Sequence, residues 1–178
     1  MKAYLSAALF AAAVATPALA QNTAPAAPSF TGPRIEAHVG YDNVRIGSDL
    51  GHADGVTFGA GAGYDFALGG SVIAGVEVNG DFSTADKFGI DAKRNLDASV
   101  RIGTSLGTSG LIYAKVGYAN ARFGASGVGS GNADGVRGAI GYEMMFGHGV
   151  YGKAEYRYTN YEAGISRNQG IVGVGYRF

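Results

Sequence analysis

Apolar side chains recur at every second position through eight separate stretches of this chain, each about ten residues long, and the pattern holds from residue 34 to the last residue. In a strand, successive side chains point to opposite faces, so a period of two marks a two-faced β-strand. Within 34–42, Ile35, Ala37, Val39 and Tyr41 share one face, and Arg34, Glu36, His38, Gly40 and Asp42 share the other. The same alternation runs through 55–66, 71–82, 94–106, 111–123, 135–146, 150–161 and 170–178. The connections alternate in length. Short ones at 67–70 (ALGG), 107–110 (GTSG) and 147–149 (GHG) have tight-turn chemistry. Longer polar ones are expected at about 43–54, 83–93, 124–134 and 162–168. Short turns at one end and longer loops at the other predict an all-β fold, an eight-stranded antiparallel up-and-down barrel over residues 33–178.

Two kinds of barrel fit such a pattern. A soluble, lipocalin-like barrel turns its apolar face inward, and a transmembrane barrel turns it outward to lipid. The polar face here is crowded with glycine, including Gly59, Gly61, Gly63, Gly75, Gly117, Gly141, Gly173 and Gly175. Water does not require small residues, but the interior of a narrow barrel does. Tyr and Phe gather near the ends of the apolar face, among them Tyr41, Phe58, Tyr64, Phe82, Tyr118, Tyr142 and Tyr176, with short aliphatics between them. That is the layout of aromatic girdles around an apolar band. Strands of about ten tilted residues match the hydrocarbon thickness, and closure satisfies every backbone group there. The expectation is therefore a transmembrane barrel.

The first residues read as an export signal. Lys2 is a short positive region, residues 3–15 are apolar, and Pro17 breaks the run. Ala18-Leu19-Ala20 fits small-x-small cleavage, which places the signal peptide at 1–20. Residues 21–32 (QNTAPAAPSFTG) read as a periplasmic linker. The formal net charge of zero, with 14 basic and 14 acidic residues, argues against a nucleic-acid partner. Cysteine is absent, which excludes disulfides and thiolate metal sites, and His38, His52 and His148 have no metal-ligand spacing. No cofactor and no metal are expected.

On the polar face, parity places acids Glu36, Asp65, Glu77, Asp97, Glu143 and Glu155, and bases Arg101, Lys115, Arg137, Lys153, Arg157 and Arg177. Six of each sign can neutralise one another, as buried charges require, and an eight-stranded barrel has room for little besides its own side chains. These twelve are expected to form an interior charge network that plugs the lumen. The alternative for the same residues is a thin path for protons or small ions. GAGAG (59–63) is not followed by a helical pattern and is no phosphate loop.

The last strand, V-x-V-x-Y-x-F, with Val174, Tyr176 and Phe178 on one face, resembles the C-terminal signature of bacterial outer-membrane barrels. YAKVGYANARF (113–123) is similar to the fifth strand of the small OmpA-like, OmpX-like and opacity-type barrels. This resemblance covers residues 34–178. It implies that the last strand is read by the barrel-assembly machinery and closes against the first, after passage with periplasmic chaperones. It implies residence in the outer membrane among lipid and lipopolysaccharide, as a monomer. It also implies a structural, non-catalytic role in envelope integrity or surface interaction. Alternatives are a narrow, low-conductance porin-like channel, an adhesin, or a lipid-modifying enzyme. Lipid A deacylases of similar size use a His-x-Ser pair, whereas Gly40, Asp54 and Val150 stand two after each histidine here. Adhesive opacity-type relatives have longer loops. No peptidoglycan-binding segment follows the last strand, so wall anchoring is not expected.

Overall fold

The computed structural model describes residues 30–46, 52–84, 86–87, 90–125, 129–162 and 165–178. The expected signal peptide, and the expected linker up to residue 29, lie outside the described residues. Eight long strands make the wall: β1 (Gly32–Ile46), β2 (His52–Gly69), β3 (Val72–Ser83), β5 (Ile90–Leu106), β6 (Gly110–Ala125), β7 (Gly129–Gly147), β8 (Val150–Tyr161) and β9 (Ile165–Arg177). A two-residue strand, β4 (Asp86–Lys87), hydrogen-bonds to the start of β5. Each long strand pairs antiparallel with its neighbours in sequence, and β1 pairs with β9 from Arg34↔Arg177 to Ile46↔Ile165. The sheet therefore closes on itself as an eight-stranded barrel, with no free edge.

The parity of the sequence sets the two faces. Along β3 exposure alternates almost residue by residue, with Val76 and Val78 outward and Glu77 and Asn79 inward. The same holds in β8, where Tyr156 and Tyr158 face out and Glu155, Arg157 and Thr159 face in. Outward residues include Val100, Ile102, Ile140 and Val172, each more than half exposed. The protein is apolar outside and charged inside.

One end carries tight turns and the other carries the longer connections. Gly69 and Gly70 at the first turn have φ of 121° and 56°, a left-handed backbone in which a Cβ would be strained. At the third turn His148 itself sits at φ 52°, between Gly147 and Gly149.

The strands at the loop end differ from expectation. They run from 12 to 19 residues and take up much of the sequence expected as loops. Asn43 pairs with Asp54 across β1–β2, and Asn120 with Asp134 across β6–β7. The Asn amide donates to the Asp carboxylate at 2.6 Å in both cases. Where a strand leaves the apolar band both faces are wetted, so the polar–apolar alternation fades while the hydrogen-bonded ladder continues.

Candidate functional site

Backbone parity directs charged side chains from all eight long strands into the lumen, where they pair in tiers. Each of the twelve residues expected to form the interior network is buried there. Four further charges share the interior with them: Arg34, Asp42, Asp81 and Arg167. Among the described residues the buried set thus holds eight acids and eight bases, together with His38.

The tier nearest the turns joins β1, β2, β5, β7 and β9. Asp65 accepts from Arg34 Nε at 3.0 Å, from Arg101 Nε at 2.8 Å and from Arg177 Nη1 at 2.6 Å. Glu143 accepts from Arg101 Nη1, and from Arg177 Nη2 at 3.0 Å. Three guanidiniums around two carboxylates leave one positive charge over. Arg34 compensates by reaching up to Glu36 at 3.1 Å and to Glu77.

The middle tier joins β1, β3, β6 and β8. Lys115 Nζ lies 2.5 Å from Glu77 and 2.8 Å from Glu155. Lys153 donates to Glu36. Two inward tyrosines cap the carboxylates: Tyr113 donates to Glu155 at 2.7 Å, and Tyr151 to Glu36 at 3.0 Å. The Arg101 guanidinium stacks 4.8 Å from the centre of the Tyr113 ring. Glycines make room for these side chains. A Cβ at Gly141 would strike the tip of Tyr113, and one at Gly175 the tip of Tyr151.

Above this, Asp81 accepts from Arg157 Nη1 at 3.2 Å and lies 2.6 Å from His38 Nε2. Arg157 Nε donates to Glu155, which ties this tier to the one below. Arg137 binds Asp97 at 2.5 Å and donates to Thr159 at 2.9 Å. At the loop end Arg167 Nε donates to Asp42 at 2.7 Å, and Ser83 donates to the same carboxylate at 2.6 Å. His38 is therefore a lumen residue, as its parity indicates. His148 stands in the third turn, and the backbone of His52 opens β2. Among the described residues no cluster of three His, Asp or Glu could hold a metal ion.

Sequence reasoning missed Arg167, in a stretch read as loop, and an aromatic ahead of the first strand. Phe30, in the segment read as linker, is buried inside the turn end against Ile73, Leu111, Tyr113, Met145 and Tyr151. Its carbonyl accepts from Arg177 Nη1 at 2.9 Å. A lone aromatic ahead of the first strand carries no periodic signal, so only the tertiary structure reveals it. Val174, Tyr176 and Phe178 all face outward, and the Tyr176 and Phe178 rings meet edge to face at 4.9 Å.

An antiparallel barrel with an apolar exterior, a charged interior and a closed seam is a transmembrane β-barrel. The chain belongs to the outer membrane protein beta-barrel domain family, whose profile matches residues 6–178. It is an outer-membrane protein. Solved structures share the fold. Neisserial surface protein A aligns at 18% identity and TM-score 0.63, over 83% of this chain and 98% of its own. Ail, the attachment invasion locus protein of Yersinia pestis, in complex with the heparin analogue sucrose octasulfate, aligns at 14% and 0.56, over 83% and 100%. The N-terminal barrel of Pseudomonas aeruginosa OprF aligns at 14% and 0.51, over 83% and 99%. No curated protein sequence matches the chain at a significant level.

Proposed function

We propose that this protein is a structural, non-catalytic outer-membrane barrel that contributes to envelope integrity or surface interaction. The observation that carries the reading is the lumen, where eight acids and eight bases among the described residues neutralise one another in linked tiers. Buried ions paired on several sides are costly to separate. They hold the wall together across strands that are not neighbours, as Arg101 on β5 does with Asp65 on β2 and Glu143 on β7. Outer-membrane lipid and lipopolysaccharide cover the apolar belt. The outward row Val174, Tyr176 and Phe178 is read by the barrel-assembly machinery, after delivery by periplasmic chaperones. The barrel works as a monomer, with no nucleic-acid partner and no cofactor.

The test is electrical. Purified protein refolded into planar bilayers is expected to show no conductance steps, and Arg101→Ala and Glu143→Ala are expected to lower stability alone. Steps in the wild type whose size changes with either substitution would overturn the plug and establish the narrow, low-conductance channel. Unaltered lipid A profiles in cells with and without the protein would complete the case against a lipid-modifying enzyme.

A further inference from the structure

The lumen is closed differently at its two ends. At the loop end much of the interior is polar: Asp42, Thr57, Arg167 and Gln169 are all buried there. The apolar cluster at that end, Ala119, Ala121 and Tyr161, comes from β6 and β8 and is backed by Ala133 and Ile165. The turn end has an apolar floor, in which Ile73, Leu111, Met145 and the two tyrosine rings form one buried cluster with Phe30.

Between the ends the interior is not fully self-satisfied. Buried polar atoms without a hydrogen-bond partner include His38 Nδ1, Asn79 Oδ1, Ser99 Oγ, Arg137 Nη2, Arg157 Nη2 and both amide atoms of Gln169. Arg177 Nε, beside the floor, is another. Polar atoms in this situation are ordinarily solvated by internal water. They come from β1, β3, β5, β7, β8 and β9, so the sites for such water are spread around the lumen rather than confined to one wall.

Phe30 differs from the rest of the floor. Its five partners stand on long strands, whereas Phe30 precedes β1 and lies outside the sheet. Gly32, at φ 101°, turns the chain beside it. Its ring is 5.9 Å from the Arg177 guanidinium, whose Nη1 also holds its carbonyl. An apolar constriction stops conduction by excluding water, and this constriction is completed by one side chain that no strand of the sheet carries.

We propose that Phe30 is a displaceable stopper at the turn end, and that its withdrawal connects the hydrated lumen into a path for protons. This rests on the reading of the wild-type lumen as closed, and the test separates the two. The full chain is refolded into vesicles loaded with a pH-sensitive dye, and the decay of an imposed pH gradient is followed. Wild-type vesicles are expected to hold the gradient like protein-free ones. Phe30→Ala is expected to speed the decay about tenfold, as removal of an apolar gate should. The chain has no cysteine, so Phe30→Cys introduces a single thiol. That variant is expected to leak and to reseal when a benzyl thiosulfonate restores a phenyl ring. A folded, heat-modifiable Phe30→Ala barrel that holds the gradient would overturn the stopper. So would failure of both variants to fold, because Phe30 would then be a core residue. Leakage in the wild type would overturn the closed lumen itself.

Discussion

Tyr113 and Tyr118 stand on the same strand, five residues apart, on opposite faces of the wall. Tyr113 is buried, donates to Glu155 and stacks under Arg101. Tyr118 is 55% exposed on the apolar belt. Gly141 and Gly138 repeat the contrast on β7: a Cβ at the first would meet the Tyr113 ring, and a Cβ at the second would meet nothing within 4 Å. One residue type thus has two roles, decided by parity. Inside, each position is fixed by partners on distant strands. Outside, it is fixed by the solvent.

The largest effect should come from removing an acid that several interior cations share. Glu77 accepts from Arg34, from Lys115 at 2.5 Å and from the Asn79 amide at 2.8 Å. Glu77→Ala leaves buried cations short of a counter-ion, a loss that costs about 3–5 kcal/mol. The measurement is the urea midpoint for loss of the heat-modifiable form in lipid vesicles. An unchanged midpoint would mean that the interior is well hydrated and its pairs are screened.

Next in size is a charge placed on the outer face. Val100 lies midway along β5, between Val76 and Val116 on the flanking strands, and is 56% exposed. In water, Val100→Arg would be harmless. At the middle of a bilayer it should cost about 2–4 kcal/mol, read by the same urea titration. A change near zero would contradict lipid contact at that height of the wall.

Parity made the eight strands, the two faces and the tight turns legible in the sequence, because burial on one side only imposes a period of two on the side chains. It also brought Arg34, Asp42 and Asp81 to the polar face, although pairing across the lumen is what makes them network members. Arg167 fell in a stretch read as loop, yet β9 begins at Ile165. There the strand stands clear of the apolar band, and nothing forces its outer face to be apolar. The pairings themselves were not legible. Arg177 meets Asp65 from 112 residues away, and closure of the barrel brings them together. Phe30 belongs to the same category, since it is buried by a lumen that exists only once the wall is complete.

The smallest and sharpest comparison returns to the two glycines of β7. At Gly141 an added methyl must displace the Tyr113 ring, whose hydroxyl is held by Glu155 and whose face is held by Arg101. Overpacking of this kind costs about 1–3 kcal/mol. At Gly138 the methyl points into open apolar surroundings, and removing a strand glycine should stabilise by about 0.5–1 kcal/mol. Gly141→Ala and Gly138→Ala should therefore shift the urea midpoint in opposite directions, although the change is chemically the same. Equal shifts would mean that the Tyr113 ring is free to move aside. The inner tier would then be looser than its hydrogen bonds imply, and the contrast between the two faces would reduce to solvent alone.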